Sequence, residues 1–128
     1  DVDLMLQDNS GTKKEGVSRT YKGFDGYGIN AAYAGVEGYA VHARLQKGNH
    51  HANWNHTAFL RKAIRNAQRT GASYRFLARM DSGNDADENV QVCREENVSW
   101  LIKRNFRRKD QDYWIDKTVQ EGRVIERN

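Results

Sequence analysis

Two aspartates that lie far apart in the sequence have the residue type and the position to bind a divalent cation together. Asp3 lies in the alternating stretch DVDLMLQD, and Asp81 directly follows the apolar and aromatic run SYRFLARM. A carboxylate at the carboxyl end of a strand lies where open α/β sheets bind ligands, so the two would converge if their strands were neighbours. Two aspartates a few ångströms apart repel unless a cation lies between them, and oxygen ligands favour Mg²⁺ or Mn²⁺. The alternative is that both are ordinary aspartates of a strand end and a turn.

Other residue types capable of chemistry give weaker signals. His51 and His56 are five residues apart, which is not the helical zinc-ligand spacing, so a solvated loop explains the histidines better than a zinc site. Cys93 lies on the apolar stripe of a short predicted helix and is interpreted as a buried structural thiol. A basic run around Phe106 could neutralise phosphates and stack on a base, or it could be a solvated loop. The cations of this run are Lys103, Arg104, Arg107, Arg108 and Lys109.

The hydrophobic pattern around these residues predicts an α/β fold with a mixed five-stranded sheet. Alternating and apolar runs predict strands over 1–7, 27–33, 39–45, 73–80 and 98–103. The first three strands should pair antiparallel, since their connections are short or turn-like, and the later strands should pair parallel through helical crossovers.

Two helices are predicted between the later strands, which gives the order β-β-β-α-β-α-β. An apolar stripe at helical spacing (Leu60, Ala63, Ile64 and Ala67) predicts the first helix, from about residue 53 to just before Gly71. A thinner stripe predicts the second over 86–96, with Asp85 as its N-cap. Strand-like segments are expected at 113–118 and 122–126, and no helix is expected after Lys103.

Composition limits the classes of function that need to be considered. The 128 residues suit one domain, and no apolar run approaches the roughly 18 residues of a membrane helix. The net charge of +4 permits a nucleic-acid partner without requiring one. A single cysteine excludes an internal disulfide and fits a reducing cytoplasm. Both ends of the chain lie within strand-like patterns, so we expect a fragment of a longer protein.

Four segments together resemble the catalytic domain of bacterial insertion-sequence DDE transposases. They are DVDLMLQDNSG, TYKGFDGYGIN, RLQKGN and, above all, RFLARMDSGN. The resemblance runs through residues 1–104 and implies an RNase H-like core of the retroviral integrase superfamily. Residues 105–128 would then form a basic loop and the start of an inserted β-rich segment.

The resemblance also implies a chemistry and a set of partners. Asp81 matches the second catalytic aspartate of these enzymes, and an aspartate of the first strand matches the first. Asp3 is the preferred candidate and Asp1 the alternative, because both face the same way and Asp3 is nearer the middle of the strand. The full-length enzyme would hold two Mg²⁺ ions, with Mn²⁺ as a substitute, and would cut and join double-stranded DNA at transposon ends and target. A dimer acting in the bacterial cytoplasm, at the nucleoid, is the expected assembly.

The sequence departs from the family pattern in three places. Met5 stands where a hydroxyl residue is common, and Asn84 stands where an aromatic residue usually follows Ser-Gly. The third acid, a glutamate on a helix, has no match, since Glu121 and Glu126 lie in strand-like or loop sequence. We therefore expect the third acid beyond residue 128 and expect these residues alone to be inactive. A structure-selective nuclease of the same fold and an inactive nucleic-acid-binding module are the alternatives.

Overall fold

A computed structural model describes residues 1–71, 75–106 and 110–122. These ranges hold six strands, three α-helices and one 3₁₀ turn. The strands are β1 (Val2–Asp8), β2 (Ser18–Arg19), β3 (Asp25–Ala34), β4 (Tyr39–Lys47), β5 (Leu77–Met80) and β6 (Ser99–Ile102). The α-helices are α1 (His56–Thr70), α2 (Asp87–Glu95) and α3 (Gln111–Glu121), and the 3₁₀ turn is Ser82–Asn84.

All six strands belong to one mixed sheet, which confirms the predicted α/β class. Strand β1 lies in the middle, pairs antiparallel with β3 and pairs parallel with β5. Strand β6 continues the parallel side, whereas β4 and the short β2 both pair antiparallel with the other edge of β3. The prediction of five strands missed β2, because its two residues lie within a segment whose Gly and Ser content is typical of a loop.

The hydrophobic core lies between one face of the sheet and the predicted stripe of α1. Phe59, Leu60 and Ile64 of this helix pack against Val2 of β1 and Met80 of β5. Helix α2 adds Val92 and the buried Cys93, whose pKa is raised by burial, as expected for a structural thiol. Within the part of the chain that the structure describes, no helix is long and apolar enough to cross a membrane.

The face of the sheet opposite to α1, here called the open face, exposes several side chains of β1, β4, β5 and β6. Successive residues of a strand point to opposite faces, so the neighbours of Val2 and Met80 in sequence project away from α1. Asp1 and Asp3 of the first strand segment therefore share this open face with Arg79, and all three are exposed. The same face exposes the apolar residues Met5, Leu45, Leu77 and Leu101.

Helices α1 and α2 are joined by ion pairs around Glu96, which directly follows α2. Arg61 donates to Oε1 of Glu96 at 2.7 Å, and Arg65 donates to both of its carboxylate oxygens at 2.8 and 2.9 Å. These bonds, with that of Arg65 the largest cause, hold the pKa of Glu96 below its usual value. These ion pairs hold the end of α2 against α1, at the point where the chain leads on to β6.

Replacing Glu96 by Gln should lower the midpoint of thermal unfolding by a few degrees, because two guanidinium groups lose their shared charged acceptor. Scanning calorimetry at low and high salt measures the effect. Glu88→Gln, on the exposed first turn of α2, is the matched control and should change the midpoint far less. A loss for Glu96→Gln no larger than the control would show that the cluster contributes no stability.

The segment after β6 is helical where strand-like sequence was expected. Asp110 caps α3 by accepting a hydrogen bond from the backbone N–H of Tyr113 at 3.0 Å, and the helix ends at Gly122. The prediction of a strand-like segment over 113–118, and of no helix after Lys103, was therefore wrong. Glu121, which was expected in strand-like or loop sequence, is the last residue of α3. Aromatic and β-branched residues in this stretch favoured a strand, whereas the Asp and Gly at its ends are the stronger signal. Residues 123–126 of the second expected segment lie outside the described ranges.

Candidate active site

The pairing of β1 with β5 determines which residues lie at the same level of the two strands. Val2 lies opposite Met80 in this parallel pair. Asp1 therefore lies beside Arg79, and Asp3 lies beside Asp81, one residue further along each chain. The prediction that the two segments are parallel neighbours is confirmed. The motifs Asp-x-Asp and Arg-x-Asp thus run side by side, and each supplies one carboxylate at the level where β5 ends.

Asp1 and Asp3 differ in what their carboxylates bind. Both oxygens of Asp1 accept hydrogen bonds from Arg79, from Nε at 2.5 Å and from Nη2 at 2.6 Å. Asp3 accepts only the backbone N–H of Leu4, on Oδ1 at 2.8 Å, and forms no ion pair with any described residue. The carboxylate of Asp1 is therefore neutralised, whereas Oδ2 of Asp3 is open to a ligand.

Asp81 is held by the turn that it begins. Its Oδ1 accepts the backbone N–H of Gly83 and the side-chain N–H of Asn84, both at 3.0 Å. Its Oδ2 makes no hydrogen bond to the described residues. Asp81 thus offers one oxygen to the protein and one to a ligand, as Asp3 does on the neighbouring strand.

A layer of buried polar side chains lies near Asp81, between the start of α1 and the start of α2. Asn30 of β3 lies 3.1 Å from Nδ1 of His56, and the side chain of Asn89 donates to Oδ1 of Asn53 and to the carbonyl oxygen of Asn84, both at 2.8 Å. Three buried atoms of this layer have no hydrogen-bond partner among the described residues, namely Nε2 of His56, Oδ1 of Asn84 and Oδ1 of Asn89. So polar a layer is unusual in a core, since unpaired buried groups are costly.

His56 is the titratable member of this layer. Removal from solvent, followed by the positive charge of Arg44, lowers its pKa from 6.5 to about 4, and the carboxylate of Asp81 opposes the shift only in part. His56 is therefore neutral at pH 7. The charge of Asp81 reaches the buried layer through this interaction, so the acid and the layer beneath it are electrostatically linked.

The other candidate residues are not gathered around Asp3 and Asp81. His50 stacks on Trp54 and His42 stacks on Phe59, so the histidines have separate packing roles. Across residues 1–71, 75–106 and 110–122, no group of three or more His, Cys, Asp or Glu could hold a metal ion.

The basic run has a partly structural role in the described residues. Arg104 pairs with Asp85 at 3.3 Å and lies over the ring of Trp114 at 4.2 Å, which ties α3 to the turn after Asp81. Asp85 also accepts the backbone N–H of Asn105, so α2 is capped at Ala86 instead of at the predicted Asp85. Lys103 is exposed. Arg107, Arg108 and Lys109 lie outside the described residues.

No protein-family model, curated protein or solved structure matched the chain when it was compared with each. Inference about function therefore depends on the residues themselves. The hydrogen bond from Asn84 to Asp81 was not predicted, although Asn84 stood out in the sequence as a departure from the family pattern. Sequence analysis also missed the amide layer, whose members are scattered through the sequence.

Proposed function

We propose that this chain carries two of the catalytic acids of a DDE transposase with an RNase H-like core. The observation that supports the proposal is the parallel pairing of Val2 with Met80, because Asp3 and Asp81 each follow the paired residue by one position. Each of the two aspartates also has one carboxylate oxygen without a hydrogen bond to the described residues. The order of elements, apart from the two-residue β2, is the order of that fold and supports the proposal. Asp3 is the first acid in this proposal, because Arg79 occupies both oxygens of Asp1.

The donor set fits Mg²⁺, or Mn²⁺ in its place. Oδ2 of Asp3 and Oδ2 of Asp81 are hard anionic oxygens without a competing hydrogen bond, and hard oxygen ligands are what these ions prefer. When bound in pairs, such ions activate the attacking water or hydroxyl and stabilise the leaving oxygen of a phosphate ester. The two aspartates would hold the ions, and a third carboxylate from outside the described residues would complete the site.

The proposed reaction is cleavage of a DNA strand followed by its joining to a target. Double-stranded DNA is the substrate, and the proposed setting is a dimer at the bacterial nucleoid. Lys103, Arg107, Arg108 and Lys109 are the cations proposed to neutralise phosphates of the DNA, and Lys103 is the one of these that the structure describes, as an exposed residue. Arg104 should contribute less to DNA binding, because its charge is already paired with Asp85.

Binding of Mn²⁺ to the isotope-labelled chain tests the metal site directly. Paramagnetic broadening of amide resonances should centre on residues 3 and 81, and Asp3→Asn or Asp81→Asn should weaken the apparent affinity about tenfold or more. Asp1→Asn is the matched control on the same strand and should leave the affinity unchanged. Broadening that is diffuse, or that depends on Asp1 instead of Asp3, would contradict the assignment.

An inactive nucleic-acid-binding module is the second candidate, and the exposed cation of Lys103, directly after β6, is the observation that favours it. Labelled linear and branched DNA, incubated with the chain and Mg²⁺, distinguishes the candidates. DNA binding without any Mn²⁺ site at Asp3 and Asp81 would support the module. Cleavage restricted to branched DNA would support a structure-selective nuclease.

A further inference from the structure

Asn84 contacts Asp81 in a way that distinguishes the two oxygens of the carboxylate. Its side chain is buried, with 1% of its surface exposed, and its Nδ2 donates to Oδ1 of Asp81 at 3.0 Å. The backbone N–H of Gly83 donates to the same oxygen at 3.0 Å. Two donors on Oδ1 and none on Oδ2 fix the rotation of the carboxylate and leave one defined oxygen for a ligand.

The backbone of Asn84 is held in place by the layer beneath it. Its backbone carbonyl oxygen accepts a hydrogen bond from the side chain of Asn89, which also donates to Oδ1 of Asn53. Asn89 is fully buried, and it makes no contact with Asp81 among the hydrogen bonds of the described residues. The layer therefore connects the loop before α1 and the first turn of α2 to Asp81 through one residue, Asn84.

Capping of the 3₁₀ turn explains the bond from Gly83 but not the one from Asn84. An aspartate at this position needs only a backbone N–H to cap the turn. A buried amide that leaves its own Oδ1 without a partner among the described residues is costly for stability alone. The cost has a functional explanation if the side-chain N–H of Asn84 is needed to orient the carboxylate of Asp81.

We propose that Asn84 is a positioning residue that sets Oδ2 of Asp81 as the metal-binding oxygen. The proposal rests on the proposed metal site at Asp3 and Asp81, and it adds a residue in a position where the resembled family usually has an aromatic side chain. Hydrogen bonds from surrounding groups orient metal-binding carboxylates, and their loss typically lowers metal affinity about 10- to 100-fold. Asn84 supplies such a bond from the side opposite to the ligand oxygen.

The test compares Mn²⁺ affinity in Asn84→Ala and in Asn30→Ala. Both variants remove a buried amide of the same layer, so both should lose stability. Only Asn84→Ala removes the donor to Asp81, and its Mn²⁺ affinity should fall about tenfold or more. Asn30 bonds His56 and the carbonyl oxygen of Ala52 instead, so Asn30→Ala should stay within about twofold of the unmodified chain. Amide broadening and chemical unfolding, measured on the same samples, separate metal binding from folding.

A second variant keeps the test decisive if Asn84→Ala does not fold. Asn84→Leu keeps the number and branching of the side-chain heavy atoms and removes an oxygen that has no partner in the described residues, so it should fold and still lose Mn²⁺ affinity. Adding Asn84→Leu to Asp81→Asn should then cause no further loss. Unchanged affinity in both Asn84 variants, or an equal loss in Asn30→Ala, would overturn the positioning role alone. An Mn²⁺ affinity that is unchanged in Asp81→Asn would instead overturn the proposed function.

Discussion

Acidification from pH 7 to pH 4 should cost the folded chain about 3 kcal/mol of stability through His56. Burial, with the charge of Arg44, lowers the pKa of this histidine from 6.5 to about 4. Above pH 6.5 both the folded and the unfolded chain hold it neutral, so it contributes no pH dependence there. Between pH 6.5 and about 4 the unfolded chain gains a proton that the folded chain does not, and each pH unit removes about 1.4 kcal/mol.

Chemical unfolding at several pH values, on the unmodified chain and on His56→Gln, measures this contribution. Gln keeps an acceptor for Asn30 but does not titrate, so the stability difference between the two proteins should shrink or reverse by about 3 kcal/mol as the pH falls. Carboxylates with lowered pKa, such as Glu96, also lose their contribution on acidification, but they do so in both proteins. Stability curves that run parallel from pH 7 to pH 4 would show that His56 is not held neutral by burial.

The general position of the candidate site could be predicted because it follows from patterns that are local in sequence. An alternating strand that carries Asp3, and an apolar run that stops at Asp81, both indicate their secondary structure without knowledge of the fold. The rule that parallel strands need crossovers then makes the two segments reasonable neighbours. The stripe of α1 was equally predictable, since Leu60, Ala63, Ile64 and Ala67 are all buried.

The choice between Asp1 and Asp3 could not be derived from local pattern in the same way. Both residues face the same side of β1, so alternation does not distinguish them. The difference arises from the register with β5, which brings Arg79 against Asp1 and Asp81 beside Asp3. Register is determined by packing of both strands in the folded sheet, and a slip of one residue would turn each carboxylate to the other face.

The amide layer could not be predicted from the sequence for a related reason. Asn30, Asn53, Asn84 and Asn89 lie on four different segments, and asparagine is typical of turns and exposed positions. Only the folded chain shows that they share one layer. Of the four, only Asn84 could be singled out in the sequence, because it stands where the resembled family usually has an aromatic residue after Ser-Gly.

The register that positions Asp3 should be highly sensitive to a side chain at Gly26. Gly26 pairs with Asp8 of β1 on one side and with Ser18 of β2 on the other. A Cβ at this position would lie 2.0 Å from the backbone oxygen of Gln7, far inside van der Waals contact, and a backbone atom within a sheet cannot turn aside. Gly26→Ala should therefore destabilise the chain by about 3 kcal/mol or more.

Gly28→Ala, two residues along the same strand, is the matched control for this prediction. Its Cβ would lie 3.0 Å from Cδ1 of Leu4 and 3.1 Å from Cγ of Gln46, which are side-chain atoms able to shift, so we expect a loss of about 1 kcal/mol. Urea unfolding of both variants gives the comparison, and amide exchange along β1 shows whether its pairing with β3 loosens first. Because Asp3 lies on β1, loosening should also weaken Mn²⁺ binding in Gly26→Ala while Gly28→Ala retains it. Equal stability losses in the two variants would show that β1 and β3 do not pair with Gly26 opposite Asp8.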